Sequence, residues 1–93
     1  MIDPTRFKNK ELGRLFEGQS SKIDAHWRRK IERALAQLNV VVSPTELTHL
    51  RCHELSGPRK GCYSLHISPN WRLTFRWDNQ GPHEIDLEDY HGK

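Results

Sequence analysis

Residues 63–77 run YSLHISPNWRLTFRW. Tyr63, Leu65 and Ile67 alternate with Ser64 and His66, and Trp71, Leu73, Phe75 and Trp77 alternate with Arg72, Thr74 and Arg76. A period of two belongs to strands that bury one face. Ser68-Pro69-Asn70 between them supplies a fixed φ and a side chain able to hydrogen-bond its own backbone, so the two strands are expected to form a hairpin. One face of that hairpin is apolar and aromatic. The other carries His66, Arg72, Thr74 and Arg76, a surface suited to an anion.

Ninety-three residues imply one domain over 1–93. The formal charge of +3 and pI near 9.1 permit a polyanionic partner without demanding one. No apolar run approaches the roughly 20 residues of a membrane span. The amino terminus, MIDPTRFKNK, has no hydrophobic signal core, so a cytoplasmic protein with no membrane partner is expected. There Cys52 and Cys62 stay reduced, and both read as small apolar filler in strands.

In chain order, residues 2–7 read as a short first strand, held to an edge by Pro4. Leu12, Leu15 and Phe16 give residues 8–17 the apolar stripe of a short helix, with Gly18 placed to end it. Ile23, Trp27, Ile31, Leu35 and Leu38 recur every three or four residues and predict a helix over 24–39. Its other face carries Arg28, Arg29, Lys30, Glu32 and Arg33, which reads as a solvated face. Residues 46–55 read as a strand with Leu50 and Cys52 on one side and Arg51 and His53 on the other. Residues 78–82 form a turn, and 83–88 a last strand with Ile85 and Leu87 inward. Pairing that strand with the hairpin sets Glu84, Asp86 and Glu88 beside Arg72 and Arg76, where ion pairs are the plain structural reading. The fold expected is α+β: two amino-terminal helices on one face of a curved, mainly antiparallel sheet, with the other face open.

Several chemistries lack their motifs. The chain has no glycine-rich phosphate loop and no His-Glu-x-x-His. A zinc site from Cys52, His53, Cys62 and His66 is set aside, because Cys52 and His53 are strand neighbours and point to opposite faces. No metal and no cofactor is expected. RNA cleavage needs less, since the substrate brings its own nucleophile in the 2′-hydroxyl. A base, an acid and positive charge for the phosphorane suffice. His53, Arg72 and the terminal Asp89-Tyr90-His91 could supply them.

The Phe-Lys opening at Phe7, the His-x-Leu-x-Gly segment at 53–57, Asn-Trp-Arg-x-Thr-Phe at 70–75 and Glu-Asp-Tyr-His at 88–91 follow one another in order. In these the sequence resembles the HigB (plasmid maintenance killer) toxins of the RelE/ParE superfamily, over residues 7–91. The resemblance implies a compact microbial-RNase-like fold and a ribosome-dependent endoribonuclease that cuts messenger RNA in the decoding site. By position it implies a catalytic set of His53, Arg72, Asp89, Tyr90 and His91. His53 and His91 would move protons, Asp89 would orient a histidine or act as base, Tyr90 would stack on a base or help donate a proton, and Arg72 would hold the scissile phosphate. Arg51, Arg59, Lys60, His66 and Arg76 are expected to bind RNA around them. The implied partners are the ribosome with its messenger RNA and a helix-turn-helix antitoxin of the HigA type, with operator DNA met only through the antitoxin complex. The chain departs from the family's usual pattern at Ser56, where lysine is common, and at Glu54, where proline is usual.

Ser56 also keeps open a non-enzymatic reading on the same fold, a ParE-like toxin that poisons DNA gyrase. A degenerate toxin that only binds its antitoxin is a third.

Overall fold

A computed structural model describes residues 2–89 of the chain. Two α-helices, α1 (Lys10–Phe16) and α2 (Ala25–Val40), precede four strands: β1 (Cys52–Glu54), β2 (Cys62–His66), β3 (Trp71–Asp78) and β4 (Gly81–Asp89). The strands form one antiparallel sheet in the order β1-β2-β3-β4. The fold is α+β, as the patterning indicates.

The hairpin sits at the centre of the sheet. β2 and β3 pair as Tyr63 with Phe75, Leu65 with Leu73 and His66 with Arg72. Leu65, Leu73 and Phe75 are buried, and the Tyr63 and Phe75 rings stack with centroids 5.8 Å apart. In the turn it is Ser68 that does the capping: its hydroxyl accepts hydrogen bonds from the Asn70 and Trp71 amides at 3.3 and 3.1 Å. Both α-helices share the apolar core with these strands, α1 through Leu12 and Leu15 and α2 through Ile31, Ala34, Leu35 and Leu38.

The helices start where side chains can satisfy their free amides. Asp24 accepts from the His26 amide at 2.8 Å, which fixes the start of α2 one residue from the predicted boundary. Asn9 accepts from the Glu11 and Leu12 amides, so α1 begins at Lys10 rather than Lys8.

Two expected strands take other forms. Residues 2–7 hold a 3₁₀ turn, Pro4–Arg6, capped by Asp3; Phe7 alone bridges to Ile85, in parallel. Proline at the first turn position, after an aspartate that accepts the Thr5 amide at 2.9 Å, favours the turn over a ladder. Residues 46–50 also wind into a 3₁₀ helix, Pro44–Leu50, capped by Ser43 and closed by Arg51 in the left-handed region (φ 61°). Leu47 and Leu50 are spaced by three, which suits that helix. Only Cys52–Glu54 remain as the short edge strand.

β4 carries one irregularity. Arg76 pairs with His83 and Thr74 with Asp86, so Phe75 alone faces two residues, Glu84 and Ile85. Glu84 takes up the extra residue with φ 51°. This bulge keeps Ile85 in the core and lets Asp86 and Glu88 line up with Thr74 and Arg72.

Candidate nucleic-acid interface and active site

Cross-strand pairing arranges the face away from the helices in rows. His53, Ser64, Thr74 and Asp86 form one row, and His66, Arg72 and Glu88 form the next. Cys62, Arg76 and His83 form a third. The open face expected from the sequence is only partly open, because the β1–β2 connection folds over its middle. Arg59, at the end of the 3₁₀ turn Gly57–Arg59, reaches across to β4 and meets Glu88 with both terminal nitrogens, at 2.9 and 2.6 Å. Ser64 and Thr74 lie buried on that face.

Glu88 is the meeting point. Its carboxylate accepts two hydrogen bonds from Arg59, one from Arg72 at 3.2 Å and one from the Thr74 hydroxyl at 2.7 Å. The Arg59 hydrogen bonds do most to hold its pKa down to about 2; partial burial opposes them, and Thr74 and Arg72 add to them. In return Glu88 raises the pKa of the Arg59 guanidinium above its usual value. Arg59, Cys62, Thr74, Arg76, Asp86 and Glu88 line a polar cleft of about 190 Å³ beside this network.

Of the other expected RNA-binding residues, Arg76 lines the same cleft, while His66 lies beside Arg51 and the α2 residue Lys30. Arg76 points its guanidinium at the Lys60 carbonyl, 3.4 Å away. Gly61 makes that approach possible: at φ 94°, a Cβ there would stand 3.1 Å from an Arg76 nitrogen. Arg51 accepts the His66 amide on its carbonyl at 3.3 Å. The His66 pKa is lowered, first by burial and then by the charges of Arg51 and Lys30. His66 therefore favours its neutral form among cations. Of the cluster on α2, Arg28 is not simply solvated: it donates to the Ile23 carbonyl at 2.7 Å and ties down the connection before the helix.

Of the expected catalytic set, Arg72 lies at the heart of the network. His53 stands exposed on β1, on the same face. Strand spacing puts its Cα about 12 Å from that of Arg72, two strands and one row away. Asp89 pairs with Trp71, so alternation gives it to the face opposite Glu88. Tyr90 and His91 fall outside the described residues. Glu88 was not among the expected site residues, although strand alternation and the Glu-Asp-Tyr-His motif both put it beside Arg72.

The described face of this small α+β domain thus carries Arg59, Arg72, Arg76 and His53. The family model that matches residues 5–91 is described as the RelE-like toxin of type II toxin–antitoxin system HigB. The chain belongs to this family of HigB-like toxins. It is similar to the Endoribonuclease HigB of Proteus vulgaris, at 34% identity over 91 residues, spanning 91% of this chain and 96% of that protein. Among the described residues no helix is long and apolar enough to cross a membrane.

Proposed function

We propose that this toxin is an endoribonuclease that cuts messenger RNA on the ribosome, in the decoding site. The observation that carries the reading is the convergence of Arg59 and Arg72 on one point of the sheet face, with Arg76 lining the same cleft and His53 on the same face. Family membership and the name of the Proteus relative support it.

In the proposed reaction the 2′-oxygen attacks the adjacent phosphorus while the bond to the 5′-oxygen breaks. The proton of the 2′-hydroxyl passes to a base and another is given to the leaving oxygen, leaving a 2′,3′-cyclic phosphate. His53 and His91 carry these protons. Tyr90 stacks against a base, while Asp89, which alternation gives to the opposite face of β4, takes no part in this step. Arg72, with Arg59 beside it, faces the charge that grows on the phosphorane. Arg51, Lys60, His66 and Arg76 hold the flanking backbone. The catalytic groups need no metal, because the nucleophile belongs to the substrate and arginine meets the developing charge. A type II toxin has an antitoxin partner; here we take it to be a HigA-like helix-turn-helix protein, in the cytoplasm, with operator DNA contacted only through the complex.

The test is a reconstituted translation reaction on intact ribosomes, read by primer extension. Wild type should give codon-positioned cuts, and His91→Ala and Arg72→Ala should each remove them. Intact messenger RNA with wild type would overturn the reading. Inhibition of gyrase supercoiling under those conditions would favour the gyrase-poisoning alternative.

A further inference from the structure

The carboxylate of Glu88 has no part in the reaction as just described, yet it holds the densest hydrogen bonding on the sheet face. Four donors converge on it: two nitrogens of Arg59, one of Arg72 and the hydroxyl of Thr74. They come from two places in the chain. Arg59 lies in the β1–β2 connection, Arg72 and Thr74 lie on β3, and Glu88 lies on β4. Without the carboxylate, two guanidinium groups brought this close would repel each other, and Arg59, on an exposed connection, would swing into solvent.

We propose that Glu88 is the positioning residue of the cleavage site, tying Arg59 and Arg72 into a preformed two-guanidinium clamp for the scissile phosphate. The proposal rests on the RNA-cleavage reading above and adds Glu88 and Arg59 to it as a working pair.

Three features support it. A carboxylate held at a pKa of about 2 stays ionised at any working pH and is too weak a base to accept the 2′-hydroxyl proton, so its use lies in holding rather than in proton transfer. Arg59 donates to Glu88 with two nitrogens and Arg72 with one, so a single carboxylate fixes the relative position of two guanidinium groups that come from different elements. Finally, a site that is arranged before the substrate arrives spends no reorganisation when charge develops on the phosphorane, which is where electrostatic catalysis gains most.

The same geometry gives the proposal a signature. Glu88 cancels part of the charge that a ground-state phosphate would feel, while aligning the groups that meet the transition state. Glu88→Gln should therefore uncouple binding from turnover. On programmed ribosomes kcat should fall at least tenfold. Affinity of the free protein for a short RNA with a 2′-deoxy residue at the cut position, which it cannot cleave, should stay equal to wild type or rise. Glu88→Asp should recover at least threefold in kcat over Glu88→Gln. Arg6→Ala breaks a salt bridge to Asp78 away from the site and serves as a matched loss of stability; its kcat should remain within threefold of wild type.

A kcat for Glu88→Gln that falls less than tenfold overturns the proposal, as does a parallel loss of affinity for the deoxy RNA. If wild type itself leaves messenger RNA intact, the cleavage reading fails. The clamp is then judged on the binding arm: Arg59→Ala must weaken the deoxy RNA complex at least fivefold while Glu88→Gln does not, and any other pattern overturns it.

Discussion

Acidification should draw stability out of the fold through Glu88. The group titrates at about 2 in the folded chain against an ordinary value of 4.5. A carboxyl whose pKa is depressed by folding stabilises the protein above its unfolded pKa, and that stability drains away as pH falls toward the folded value. A difference of about 2.5 pKa units corresponds to roughly 3 kcal/mol at neutral pH. At pH 3 the folded group is still mostly ionised while the unfolded one is mostly protonated, and the contribution drops to about 1 kcal/mol. Wild type should thus lose about 2 kcal/mol through this residue between pH 6 and pH 3. Glu88→Gln has nothing to titrate there. Urea denaturation of both proteins across that range isolates the effect, since Asp3 and Asp78, also held below their usual range by hydrogen bonds, are common to both. The stability gap between the two proteins should narrow by about 2 kcal/mol on acidification. A gap that stays constant would refute the assignment of Arg59, Arg72 and Thr74 as partners of a charged Glu88.

Two further outcomes are expected. Cys52 and Cys62 are both buried, and burial pushes the Cys52 thiol up to about 11, so neither should react with an aromatic disulfide reagent at pH 8 until the protein is unfolded; rapid labelling of two thiols in the native state would contradict this. Ser68→Ala removes the hydroxyl that caps the central turn and should cost about 1–2 kcal/mol in thermal or urea unfolding, with an unchanged midpoint counting against the turn's role.

The parts of the fold that could be read in advance are those with long, uniform periods. The apolar stripe from Ile31 to Leu38 gave the boundaries of α2 to within a residue, and the alternation through Leu65, Leu73 and Phe75 gave the hairpin's buried face. The misread segments are short and begin with a cap followed by proline. Asp3-Pro4 and Ser43-Pro44 each open a 3₁₀ helix, whereas the strand readings gave weight to the few apolar residues that follow. Local hydrogen bonds to Asp3 and Ser43 settle those segments, and a period-two pattern of four residues is too brief to compete. In the site, Arg72 beside a β4 carboxylate was legible from alternation alone. Arg59 was legible only as a cation in a connection. Its partner lies 29 residues away, and the closing of the sheet face over Ser64 and Thr74 depends on a loop path that no periodicity encodes.

The Arg59–Glu88 bridge also has a mechanical side. It joins the connection between β1 and β2 to β4, the strand two places from β2 in the sheet. A tie of this kind resists the peeling of β4 from the rest of the sheet. Amide protons of β4 should exchange with solvent more slowly than those of β1, the three-residue edge strand, and should speed up when the tie is cut at Arg59.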